Sequence, residues 1–234
     1  MDKRSRGRYA PPMTRALASV LVLLLIAAAY LLLWPVPAEP VAWRAPTSPG
    51  YEGVHTVNRH LAALEHLPLG DNVGPEHVVV RVEDGQPWVW AAVSSLDHTS
   101  GRIIRMHPDG SARETIFESS GRPLGFDFDS AGRLIVADPL YGAHGGLLRV
   151  SGRGVNATVE VLVDAINGEP LRYVDAVIVA TNGRIYFSDA SARFGPKAFE
   201  GTFNASVLDI LEHRNTGRVL EFDPATRRTR VIMH

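Results

Sequence analysis

Beyond His55 the chain is organised by a recurrence of about 50 residues, and that period restricts its fold more than any other feature. Asp84-Gly85-Gln86-Pro87-Trp88-Val89-Trp90, Ala131-Gly132-Arg133-Leu134-Ile135-Val136-Ala137-Asp138 and Asn182-Gly183-Arg184-Ile185-Tyr186-Phe187-Ser188-Asp189 each place a glycine turn before an apolar run. A second motif alternates with the first: Gly101-Arg102-Ile103-Ile104-Arg105-Met106, Gly146-Leu147-Leu148-Arg149-Val150 and Gly217-Arg218-Val219-Leu220-Glu221-Phe222. Two strand types separated by tight turns and repeated in a fixed order predict an all-β chain of four-stranded antiparallel blades, the sequence pattern of a β-propeller. A β-sandwich with irregular hairpins is the alternative, but its strands have no reason to recur in the same order with the same turns. Roughly 160 residues separate Gly74 from the last residue, His234, enough for about three blades against the four to eight of a closed ring. The expectation is therefore an incomplete propeller, either a partial sequence or an arc that assembles with a second copy.

The N-terminal part obeys different rules. From Ala16 to Trp34 there is no charged residue, and at about 1.5 Å per residue this stretch spans roughly the hydrocarbon thickness of a bilayer. Lys3, Arg4, Arg6, Arg8 and Arg15 precede it, so the positive-inside rule predicts a single-pass anchor over residues 16–34, with residues 1–15 cytoplasmic and the remainder exported. A cleaved signal peptide is the competing reading, disfavoured because its apolar core is usually shorter. Pro35, Pro37 and Pro40 open a proline-rich linker over residues 35–54, and the propeller portion is assigned to residues 55–234. With 24 Lys plus Arg against 25 Asp plus Glu, the net charge of −1 leaves no global basic field for nucleic acid. The absence of cysteine removes disulfides, thiolate metal sites and a cysteine nucleophile.

Six segments in register resemble the strictosidine synthase-like proteins, a group that includes membrane-associated members and is related to gluconolactonases and paraoxonases. They are Gly74-Pro75-Glu76, Gly121-Arg122-Pro123-Leu124-Gly125-Phe126, Gly132 to Asp138, Gly146-Leu147-Leu148, Ile185 to Ser191 and Thr216 to Pro224. The resemblance implies a six-bladed propeller of which this chain holds the first half, with a divalent cation, calcium, on the central axis. It implies Glu76 and Asp175 as metal ligands, the remaining ligands coming from later blades. Asp175 falls where relatives usually carry Asn, and Ala176 replaces a second polar group. For Glu76 a surface carboxylate in a turn is the competing reading. For Asp175, flanked by Tyr173, Val174 and Val177, burial favours a ligand, because a buried carboxylate needs a cation or donors. The activity implied is metal-dependent hydrolysis of a small ester or lactone, of arylesterase or lactonase type. Strictosidine synthase activity itself is not supported, since the glutamate that serves it belongs to blades absent from this chain. The alternative is a non-catalytic propeller that binds or scaffolds.

Other residues carry weaker chemistry. Asp138 and Asp189 end equivalent strands, so a repeated structural role is expected in place of a catalytic pair. His144 lies in a glycine-rich loop and has no partner in sequence. Ser94, Ser95, Asp97 and His98 cluster without a nucleophile elbow. Trp88 and Trp90 alternate along one strand and read as packing. Between Ser191 and Asn215 a short amphipathic helix carrying Val207, Leu208, Ile210 and Leu211 is expected, N-capped by Asn204, and packs on the rim or forms a lid over the mouth.

Overall fold

A computed structural model describes residues 12–96 and 100–234. The chain divides into two units, Met1–Glu39 and Pro40–His234. In the first, α1 (Pro12–Leu33) is a continuous apolar helix, and its segment Thr14–Leu33 has a mean hydropathy of 2.8. It starts earlier than the charge-free run because Pro12 suits a first helical turn. It stops at Leu33, not Trp34, since a residue before proline is pushed out of the helical region, although the Trp34 amide still bonds the Tyr30 carbonyl at 3.0 Å. The basic residues Lys3, Arg4, Arg6 and Arg8, on which the predicted orientation depends, lie outside the described residues.

The second unit holds three meanders in succession, each a four-stranded antiparallel sheet with its strands in chain order. Blade 1 comprises β1 (Asn72–Glu83), β2 (Gln86–Ser95), β3 (Gly101–Met106) and β4 (Glu114–Ser119). Blade 2 comprises β5 (Phe126–Phe128), β6 (Leu134–Asp138), β7 (Gly146–Ser151) and β8 (Thr158–Val163). A small hairpin of β9 (Ala165–Ile166) and β10 (Glu169–Pro170) leads to blade 3: β11 (Val174–Val179), β12 (Ile185–Asp189), β13 (Arg218–Asp223) and β14 (Arg228–Met233). The helix α2 (Thr202–Glu212) is inserted between β12 and β13.

The two strand motifs are the second and third strands of each blade, and the pairing corrects their superposition. Val89, Leu134 and Ile185 stand opposite Met106, Val150 and Phe222 respectively. Aligning Gly85 with Gly132 and Gly183 instead equates Pro87 with Leu134. The two-residue offset arises because blade 1 turns on Asp84-Gly85 alone, both at positive φ, whereas Gly132 and Gly183 close longer turns through bonds to the Asp129 and Ala180 carbonyls.

The blades pack face to face. Trp90, Ala92, Ile103 and Phe117 of blade 1 meet Phe126, Val136 and Leu148 of blade 2. Ile135, Ala137 and Leu147 on the opposite face of blade 2 meet Val177, Phe187, Leu220 and Phe222 of blade 3. Each of the larger aliphatic and phenylalanine side chains among these contributes about 1.5–3 kcal/mol on burial. Trp88 and Trp90 are packing residues: Trp90 meets the Phe128 ring edge-on at 5.0 Å, and Trp88 lies under the Arg105 guanidinium at 4.0 Å. The other face of blade 1 is covered in its centre by Leu67 and Leu69, while Val78, Val80 and Val82 of β1 stay exposed.

The innermost strands are stitched across the second seam. The Gly125 amide donates to the Asp175 carbonyl at 2.7 Å, and the Asp127 carboxylate accepts from the Val179 amide at 2.7 Å. A Cβ on Gly125 would lie 2.6 Å from the Asp175 oxygen, so only glycine permits this approach.

Candidate functional site

The two predicted ligands occupy related irregularities. On β1, pairing runs from Val73 opposite Ser94 to His77 opposite Ala92, so Gly74-Pro75-Glu76 bulges against the single residue Val93. Gly74 permits the bulge with φ +58°. On β11, pairing runs from Val174 opposite Asp189 to Val177 opposite Phe187, so Asp175 and Ala176 bulge against Ser188, whose hydroxyl accepts the Ala176 amide at 2.9 Å. Both carboxylates thus leave innermost strands at the end where those strands begin.

The structure brings them within reach of each other's charge. The Asp175 carboxyl is held above the ordinary carboxylate range, first by burial and second by the negative charge of Glu76. Asp175 is half-buried and Glu76 exposed. Tyr173 shares the neighbourhood: its phenol is pushed up by burial foremost and then by Asp175 and Glu76, against a downward pull from Ser206 and from Arg122. Among the described residues no group of three or more His, Cys, Asp or Glu side chains converges as a metal cluster.

Buried carboxylates shape this mouth from beneath. Asp138, fully buried, accepts the Ser119 hydroxyl at 2.6 Å and the amides of Arg122 and Leu140 at 2.8 and 2.9 Å. Asp189, also fully buried, accepts the Tyr173 amide at 2.7 Å and two guanidinium contacts from Arg218 at 2.8 and 3.0 Å. Each fastens the segment leading into its blade's innermost strand, and the pair is structural.

Helix α2 stands beside the mouth. The Tyr173 hydroxyl contacts the Thr202 carbonyl at 3.0 Å and the Ser206 hydroxyl at 2.8 Å. Contrary to expectation, Asn204 lies inside the helix; Gly201, at φ +114°, is the N-cap and makes no side-chain cap. The far end is tied to the linker: the Val41 amide donates to the Glu212 carbonyl at 2.8 Å, and Trp43 stacks on His213 at 5.5 Å. Hence part of the proline-rich segment 35–54 packs on the propeller unit, with a signal legible only in its isolated Trp43.

A cleft of about 290 Å³ lies on this side, lined by Ser94, Ser100, Ser120, Arg122, Thr202 and Asn204 among others. Ser94 therefore faces a cleft, while Ser95 bonds the Ser100 carbonyl at 3.2 Å; Asp97 and His98 lie outside the described residues. His144 is an exposed loop residue beside a separate hollow of about 160 Å³. Nothing in the Gly121-Arg122-Pro123 sequence marks Arg122 as a chemical residue; its place in the cleft does.

Three consecutive four-stranded meanders packed face to face, with their first strands innermost, define the class: an all-β partial propeller preceded by an apolar helix. A strictosidine synthase-like N-terminal profile matches residues 53–106 and a strictosidine synthase profile matches residues 175–234. Strictosidine synthase-like 4 of Arabidopsis thaliana is 39% identical over 183 residues, covering 75% of this chain and 43% of that protein. The adipocyte plasma membrane-associated protein of Gallus gallus is 28% identical, covering 93% of this chain and 50% of that protein. Among solved structures, a gluconolactonase from Xanthomonas campestris aligns with a TM-score of 0.44 at 15% identity, covering 70% of this chain and 59% of that one. The chain resembles the strictosidine synthase-like family, and it spans half or less of the length of these curated relatives.

Proposed function

We propose that this chain is part of a membrane-anchored hydrolase of small esters or lactones, with Glu76 and Asp175 supplying two oxygen ligands to a divalent cation, calcium by preference. The observation that carries the reading is that two carboxylates far apart in sequence sit on separate strand bulges within reach of each other's charge, the Asp175 carboxyl being raised first by burial and second by Glu76. A hard cation takes carboxylate oxygens and relieves that repulsion. Bound there, it would supply Lewis-acid polarisation of a substrate carbonyl. The chain's own residues provide the surroundings: Tyr173, fixed between Asp189 and α2, walls the carboxylate pair, and the Ser188 hydroxyl holds the Asp175 bulge in shape. The helix α1, long and apolar enough to cross a bilayer, would serve as the anchor, N-terminus inside; one relative's name, adipocyte plasma membrane-associated protein, accords with a membrane location.

The test is hydrolysis of phenyl acetate and of γ-butyrolactone by the detergent-solubilised full-length protein of which these blades are part, with calcium or with a chelator. Calcium-stimulated turnover that Glu76→Gln and Asp175→Asn each lower by about tenfold or more is expected. Turnover indifferent to both chelator and substitution overturns the reading. A non-catalytic binding module is the second reading, favoured by the lack of a three-member ligand cluster among the described residues; binding without turnover would select it.

A further inference from the structure

Among the described residues Arg122 is the half-buried arginine that no carboxylate meets. Arg102 meets Glu118, Arg105 meets Glu83 and Glu114, Arg149 meets Glu160, and Arg218 meets Asp189. No carboxylate and no hydrogen-bond acceptor among the described residues meets the Arg122 guanidinium, while its backbone is held on two sides. Its amide donates to Asp138 at 2.8 Å, and its Cα, with the following Pro123 ring, crowds the third-strand Gly101, where a Cβ would lie 2.8 Å and 2.4 Å from them. A guanidinium on an anchored backbone and without a partner in the fold is the arrangement of a recognition group, because the backbone part of the ordering cost has been met in folding.

The surroundings say what it recognises. Arg122 lines the cleft of about 290 Å³ together with Ser94, Ser100, Ser120, Thr202 and Asn204, whose hydroxyl and amide groups stand beside the apolar Leu140 and Phe203. Glu200, the single acidic residue on that wall, is exposed and makes no ion pair with Arg122. Tyr173, whose hydroxyl bonds the carbonyl of the cleft residue Thr202 at 3.0 Å, feels the charges of Asp175, Glu76 and Arg122 alike, so the cleft and the carboxylate pair share it as a neighbour. A guanidinium pairs with a carboxylate through two parallel hydrogen bonds, and the cleft has room for a small organic molecule and not for a folded partner.

We propose that Arg122 binds a carboxylate on the small molecule that enters this cleft, so that a substrate of the site combines an ester or lactone carbonyl with a free carboxylate. The substrate part of this inference rests on the hydrolase reading above; the carboxylate site does not.

The test compares monomethyl glutarate, which bears one ester and one carboxylate, with neutral dimethyl glutarate. Binding to the detergent-solubilised chain is followed by calorimetry in the presence of a chelator, so no turnover is needed. Saturable binding of the monoester is expected, weakened about tenfold or more by Arg122→Gln and not restored by Arg122→Lys, with the diester indifferent to either change. Unaltered melting temperatures of both variants check that folding is intact. Failure of the monoester to bind, equal binding of the two esters, or an Arg122→Gln variant with unchanged affinity overturns the proposal. Binding that depends on Arg122 without any hydrolysis leaves this site standing and overturns the hydrolase reading alone. Hydrolysis whose KM ignores Arg122→Gln does the reverse.

Discussion

Asp138 of blade 2 and Asp189 of blade 3 sit at equivalent strand ends, are equally inaccessible and do the same mechanical job, yet they are neutralised differently. Asp189 faces a guanidinium, Arg218, on two atoms. Asp138 faces only a serine hydroxyl and backbone amides. Burial consequently raises the pKa of Asp138 above its ordinary value, against the hydrogen bonds that lower it. In blade 1 the equivalent residue is Val93, buried and apolar, and the bulge that carries Glu76 lies opposite it. Blades 2 and 3 therefore share a carboxylate that fastens the segment leading into the innermost strand, with different partners for its charge, and blade 1 carries none at that position. Where a carboxylate does the fastening, the segment it holds carries a residue of the proposed site: Arg122 beside Asp138, and Tyr173 with Asp175 beside Asp189.

The largest effect expected from this contrast comes from Asp189→Asn. It keeps an acceptor for the Tyr173 amide but strands Arg218, whose side chain is only 14% exposed, so a loss of about 3–5 kcal/mol in urea unfolding is expected. A loss below about 1 kcal/mol would mean that the ion pair is not what separates the two blades. Next in size is Gly125→Ala, which drives a methyl against the Asp175 carbonyl at the seam of blades 2 and 3. About 1–3 kcal/mol is the expected cost, with hydrogen exchange at the Val179 amide accelerating as the seam loosens.

How much of this was legible beforehand depends on the range of the interaction. The meander order, the tight turns and the buried faces follow from local alternation of apolar residues, so three blades are readable from Trp88, Ile135 and Tyr186 and their neighbours alone. The equivalence of Asp138 and Asp189 was also readable, because each ends a repeated run. Their partners were not, since Ser119 and Arg218 arrive from other strands and nothing in their spacing marks them. Glu76 and Asp175 were selected by resemblance, not by spacing; that they share an electrostatic neighbourhood is a property of two bulges, and bulges leave little trace in an alternating pattern. Arg122 was hidden for the opposite reason: an unpaired arginine is recognised only against the carboxylates that the other half-buried arginines among the described residues meet.

A smaller effect is expected for Asp138→Asn, and its sign changes the reading of blade 2. Asparagine retains an acceptor for the Arg122 and Leu140 amides, and the Ser119 oxygen, which already takes the Gly121 amide at 3.0 Å, has a second lone pair for the new NH₂ group. The change is expected to stay within about 1 kcal/mol. Because the folded pKa of Asp138 lies above the unfolded one, the native state favours its protonated form. That contribution is complete below the unfolded value near pH 4 and disappears as pH rises through the folded pKa. The asparagine variant should therefore gain on the parent between about pH 4 and neutrality, which unfolding midpoints at several pH values would show. A difference that does not move with pH would mean that Asp138 is neutralised as fully as Asp189.

The smallest effect is an acid-side one at Glu221, where charge is met by an abundance of cations. Its carboxylate takes Arg230 at 2.9 and 3.1 Å and the Tyr186 hydroxyl at 2.9 Å, and Arg184 closes the cluster. Arg230 foremost, then Tyr186 and Arg184, hold its pKa down to about 2, against desolvation. The sign is opposite to that of Asp138: the stabilisation is present above the unfolded value and is lost as pH falls through about 2. Glu221→Gln should consequently destabilise the chain at neutral pH and converge with the parent toward pH 2, the reverse of the trend for Asp138→Asn. Parallel pH profiles for the two variants would show that burial, and not the presence or absence of an arginine, sets how this fold treats its carboxylates.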